Sequence, residues 1–164
     1  MRNYILAVIM TAIIFVCGTA QAESKDGFGI GFIIGEPTGL SMKKWIGNDR
    51  AIDLGIAWSF SENNSFHLHA DYLFHRFDLL PTQKAKGQLP LYFGLGARLK
   101  LKDENDDRGR NDNDNLLGLR VPIGISYLFA DHPFDLFAEI VPVLDLAPDT
   151  KFDLNIAVGA RFYF

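Results

Sequence analysis

Residues 152–164 read F-D-L-N-I-A-V-G-A-R-F-Y-F. Phe152, Leu154, Ile156, Val158, Ala160, Phe162 and Phe164 occupy one parity, and Asp153, Asn155, Ala157, Gly159, Arg161 and Tyr163 the other. Successive side chains of a strand point to opposite faces, so this pattern predicts a β-strand with one apolar face and one polar or small face. A helix would mix the two sets around its circumference.

Working outward from this stretch, seven more segments share the two-residue period: 27–35, 40–46, 51–61, 65–80, 89–102, 116–129 and 134–146. Between them lie turn-forming groups such as Glu36-Pro37-Thr38-Gly39, Gly47-Asn48-Asp49, Glu62-Asn63-Asn64 and Asp131-His132-Pro133. The phase slips at Arg76-Phe77, which predicts a bulge or the end of that strand. The expected fold is therefore all-β: an eight-stranded antiparallel up-and-down transmembrane β-barrel over residues 23–164. Pro122 and Pro142 fall inside predicted strands, where a missing N–H predicts local bulges.

Size decides which face is outside. An eight-stranded barrel has an interior just wide enough for side chains to fill it. The apolar row carries most of the 14 phenylalanines, too much volume for that space. The other row carries Gly29, Gly31, Gly55, Gly94, Gly96, Gly118, Gly124 and Gly159, which suit a narrow lumen. With both termini periplasmic, Phe28, Phe74, Phe93, Tyr127, Phe129, Phe134, Phe162 and Phe164 collect at one interface, and Trp58, Phe60, Phe66 and Phe152 at the other. Aliphatic residues fill the band between, the pattern of an outer-membrane barrel with aromatic girdles.

Arg2, the apolar run from Tyr4 to Val16 and Ala20-Gln21-Ala22 have the order of a secretory signal peptide, assigned to residues 1–22. The run is shorter than the ~20 residues a spanning helix needs, and Val16 stands where a lipoprotein signal at Cys17 would want a small residue. Without the leader the chain has no cysteine, and its formal charge is −5, with 15 basic and 20 acidic side chains. Disulfides are excluded from the mature chain, and nucleic acid is not expected as a partner.

Three constellations bear on chemistry. Lys43, Asp53, Arg98, Lys100, Arg120, Glu139, Asp145, Asp153 and Arg161 have the inward parity and predict a lumen charge network that plugs the barrel, because buried charges must pair. A narrow gated channel for small solutes or ions is the alternative. His67, His69 and Asp71, with His75 if the phase holds, form a lumen histidine cluster. Same-face neighbours on one strand are roughly 6.5–7 Å apart, so these residues are read as hydrogen-bonded filling, with no metal and no cofactor. The segment Asp103 to Asn115, with Asp103, Asp106, Asp107, Arg108, Arg110, Asp112 and Asp114, is the long surface loop. Its Asp103, Asn105 and Asp107 have calcium-loop alternation, but Gly109 is one place late and the closing glutamate is absent.

Gly159, Phe162 and the terminal Phe164 resemble the C-terminal signal by which bacterial barrel-insertion machinery recognises outer-membrane barrels. Residues 35–43, 68–75, 120–122 and 141–152 resemble an uncharacterised family of small bacterial outer-membrane barrels, similar in plan to the OmpA transmembrane domain and OmpX. That resemblance spans the mature chain and implies fold and location, the cell outer membrane. Lipid-modifying enzymes exist on such scaffolds, but a deacylase-like His-x-Ser is missing here, so no enzyme is expected. The expected role is structural or surface interaction by a monomer. Its partners would be outer-membrane lipid and lipopolysaccharide, the insertion machinery and an extracellular protein ligand.

Overall fold

The alternating segment at the end of the chain forms β10 (Lys151–Tyr163), paired antiparallel with β9 (Phe134–Ala147) on one edge and β1 (Phe28–Gly35) on the other. The computed structural model describes residues 27–36, 38–59, 65–80, 86–102, 115–148 and 150–164. From β1 the ladder continues through β2 (Thr38–Trp45), β3 (Arg50–Ser59), β4 (Ser65–Arg76) and β6 (Leu91–Lys102), each antiparallel to the last. The next position is shared by β7 (Leu116–Arg120) and β8 (Ile123–Phe129), which both pair with β6 on one side and β9 on the other. The pairings thus run in a ring of eight strand positions. One short strand was not foreseen: β5 (Gly87–Gln88) pairs with the end of β8. No helix among the described residues is long and apolar enough to cross a membrane, which leaves strands untouched as a means of crossing.

The slip at Arg76-Phe77 is a strand end, since β4 stops at Arg76. The expected bulges at Pro122 and Pro142 are absent. Gly96 faces Arg120 and Phe93 faces Ile123, while Arg120 faces Val143 and Ile123 faces Ile140, so the register is the same on both sides of the proline pair. Each proline keeps its carbonyl in the ladder: the Gly94 N–H donates to Pro122 at 2.9 Å, and the Val121 N–H donates to Pro142 at 3.0 Å. Only the missing N–H interrupts the strand. The irregularity falls instead between Leu117 and Gly118, where β9 carries one extra residue.

The burial of the strands follows the two-residue period. Phe32, Ile34, Leu95, Ile156 and Phe152 stand outward, the last 72% exposed, while Lys43, Arg98, Arg120 and Arg161 are buried inside. Phe74 and Phe93 stack at 5.7 Å, and Phe134, Phe162 and Phe164 follow edge to face at 5.0 Å each, forming an aromatic band at the end where β1 begins and β10 stops.

The inner row is less uniformly polar than its glycines and charges suggest. Ile33, Leu73, Tyr92, Phe137 and Ala157 pack together inside, and Trp45, Ala51, Leu128 and Tyr163 form a second cluster. A simple rule accommodates them. Large inward residues sit directly across the ladder from glycines: Leu73 from Gly94, Tyr92 from Gly124, Phe137 from Gly159, Tyr163 from Gly29 and Arg161 from Gly31. A Cβ on Gly159 would collide with the Phe137 ring, so the glycine supplies the volume that the ring fills. Gly35 has a different reason to be glycine. Its φ of 144° is one that side-chain-bearing residues rarely adopt, and its N–H and C=O both bond the Thr38 hydroxyl to close the first turn.

Candidate functional site

Three guanidinium groups organise the interior. Arg161 on β10 reaches across the ring to β3, where Nη2 lies 2.7 Å from Asp53 Oδ1, while Nη1 lies 3.4 Å from Asp135 Oδ2 on β9. Its Nε donates to Ser41 Oγ at 2.8 Å, and its plane covers the Phe137 ring at 3.8 Å. Arg120 on β7 stands between Asp71 Oδ1, 2.9 Å from Nε, and Glu139 Oε1, 3.6 Å from Nη2. The Asp71 approach is close without hydrogen-bond alignment, so both atoms remain without a hydrogen-bond partner. Arg98 on β6 holds Asp145 through two bonds of 2.9 and 2.7 Å, and touches half-buried Asp153 at 3.1 Å. The two-bond fork is the strong geometry for this pair.

Lys43 forms a fourth centre. Its Nζ donates to His75 Nε2 at 2.8 Å, lies 3.8 Å from Asp135 Oδ2 and sits 4.5 Å from the centre of the Trp45 ring. Two tyrosines complete the network: Tyr92 donates to Glu139 at 2.9 Å and Tyr163 to Asp135 at 2.7 Å. Since neither member of a buried pair can be exchanged for water cheaply, these contacts cross-link β2, β3, β4, β6, β7, β9 and β10 through the middle of the ring.

Of the expected network, Lys43, Asp53, Arg98, Arg120, Glu139, Asp145 and Arg161 are fully buried. Lys100 is half-buried and lies across the ladder from His67. The histidine set does not act as one group. His75 keeps the inward phase but bonds Lys43, and Asp71 turns to Arg120. Gly159 and Phe162 are half-buried, and Phe164 is exposed with its N–H bonded to Phe28 at 3.1 Å. Asp103, Asp106, Asp107, Arg108, Arg110, Asp112 and Asp114 lie outside the described residues, as does the leader. Sequence reading missed Asp135, Tyr92, Tyr163 and Ser41. Asp135 shares the parity of Glu139 and Asp145 on the same strand, a signal available from alternation alone.

A family model described as "Protein of unknown function (DUF3996)" matches residues 19–163. The chain belongs to this family. No curated protein matches this DUF3996 sequence. Among solved structures, the N-terminal β-barrel domain of Pseudomonas aeruginosa OprF is similar, with a TM-score of 0.62 at 16% identity over 85% of this chain and 98% of that one. Neisserial surface protein A, NspA, gives 0.51 at 15% identity over 84% and 93%. At these identities the likeness carries the fold: the DUF3996 chain has the strand plan of small eight-position barrels.

Proposed function

We propose that this protein is an integral outer-membrane β-barrel with periplasmic termini, a lumen closed by ion pairs, and a non-enzymatic structural or surface-interaction role. The observation that carries the reading is the inverted distribution of side chains. The ring turns Phe32, Ile34, Leu95, Ile156 and Phe152 outward and buries Lys43, Arg120 and Arg161. In water so extensive an apolar exterior would drive association, whereas in a bilayer it is the favourable arrangement, bounded by an aromatic band. The full chain should fractionate with membranes after carbonate washing, and its folded form should shift in gel mobility on boiling. Release into the carbonate supernatant overturns the reading.

Surface recognition falls to the segment from Asp103 to Asn115, whose acidic and amide-rich sequence would meet a partner through charge and hydrogen bonds. Replacing it by a short Gly-Ser turn should leave the boiling shift intact and reduce binding to lipopolysaccharide or to host-protein surfaces. Undiminished binding by that variant places recognition elsewhere.

A further inference from the structure

On the inner wall, Asp53 and Gly55 of β3 face Asp71 and His69 of β4 directly across the ladder. The His69 ring lies over Gly55, in space that any side chain there would occupy. This brings one ligand atom each from Asp53, His69 and Asp71 within 4.8 Å of one another, all three residues being buried. The strand-by-strand spacing that separates His67, His69 and Asp71 misses this grouping, because its third member comes from the neighbouring strand.

One member of the group is unmet by the protein's own contacts. His69 is 5% exposed, yet neither ring nitrogen has a hydrogen-bond partner among the described residues, while Asp71 Oδ1 meets the Arg120 guanidinium at 2.9 Å without hydrogen-bond alignment. Buried polar atoms in that condition are costly, and folded proteins meet them with an ordered water or an ion. Charge points the same way. Among the described residues, the four fully buried cations Lys43, Arg98, Arg120 and Arg161 meet five buried carboxylates, and half-buried Lys100 and Asp153 leave the difference unchanged. Asp53 and Asp71 lie directly opposite on one face, where like charges repel; each has its own arginine, and no described side chain bridges the two.

We infer that Asp53, His69 and Asp71 form a lumen site for a first-row divalent metal ion of the zinc class. One imidazole and two carboxylates are a zinc donor set, and three protein ligands leave a position open to solvent or a small ligand. With metal–ligand lengths of about 2.0–2.2 Å, ligand atoms in a tetrahedral site lie about 3.3 Å apart, so side-chain rotations of about an ångström close the site. Neither guanidinium is stranded when the ion draws the carboxylates in. Arg161 retains Asp135 and Ser41, and Arg120 retains Glu139. Occupancy would shift these arginines toward β9, coupling the ion to the plug.

The test uses the full chain without a polyhistidine tag, folded in detergent and stripped with chelator, then titrated with Zn²⁺ by calorimetry. One equivalent should bind, and binding should fall at least tenfold in His69→Gln while His67→Gln retains it. X-ray absorption on the parent chain with one equivalent of Zn²⁺ supplies a readout that needs no variant. It should show a single imidazole with oxygen donors at about 2.0–2.2 Å. No saturable binding, binding unchanged in a folded His69→Gln, or a shell with two or more imidazoles overturns the site.

Discussion

Replacing Arg161 by Met tests whether the interior ion pairs hold the ring together, because Met keeps most of the apolar stem while removing the charge. The structure sets the magnitude. Asp135 would keep Lys43 at 3.8 Å and the Tyr163 hydroxyl at 2.7 Å, so it is not stranded. Asp53 loses the guanidinium 2.7 Å away, its one ion-pair partner among the described residues within salt-bridge distance. The expected cost is therefore that of one orphaned buried carboxylate, about 3–5 kcal/mol, and not twice that. At about 1.4 kcal/mol per factor of ten, the unfolding constant rises between a hundredfold and several thousandfold. Urea titration of the detergent-folded chain, followed by the fluorescence of its two tryptophans, measures this directly. Adding Asp53→Asn to Arg161→Met should return about 1–3 kcal/mol, the coupling expected of contacting residues. A single variant within 1 kcal/mol of the parent, or a double variant as unstable as the sum of the singles, refutes the idea that this pair is structural.

Three further outcomes follow from the same geometry. Gly31→Ala should destabilise by about 1–3 kcal/mol, because its Cβ would fall on the Ala160 carbonyl oxygen and lie 2.6 Å from Arg161 Cα; an unchanged urea midpoint contradicts the close approach of β1 and β10. Glu139→Ala leaves Arg120 with Asp71 but strands the Tyr92 hydroxyl, so about 1–3 kcal/mol should be lost; planar-bilayer recordings should show raised conductance, and a variant both stable and sealed removes Glu139 from the plug. Deleting Phe164 should lower the membrane-inserted fraction in cells at native expression, and undiminished insertion separates the terminal phenylalanine from assembly.

The faces of the strands were legible because a period of two fixes them without knowledge of the partners. The outward row of Phe32, Ile34 and Leu95 and the inward row of Lys43, Arg98 and Arg161 both follow from parity. Contacts across the lumen were not legible. Arg161 meets Asp53 three strand positions away, and no ladder rule specifies which inward side chains converge across the middle. Grouping His67, His69 and Asp71 by strand hid the approach of Asp53 from β3 for the same reason. A proline's missing donor does not by itself shift the register, and so its effect is not readable from its position alone: Pro122 and Pro142 each lack one donor and keep their place in the ladder.

The extra residue of β9 beside Leu117 and Gly118 marks how this chain can change length. Between Phe134 and Asp145, deleting one residue would swap the two faces over the remainder of the strand, carrying Asp135 or Glu139 to the outer face and Leu136 or Ile140 to the inner one. Past the bulge, Leu146 and Ala147 are both exposed, and that constraint has lapsed. Insertions and deletions should accordingly accumulate beyond Asp145, whereas within the strand only changes of two residues preserve the sides.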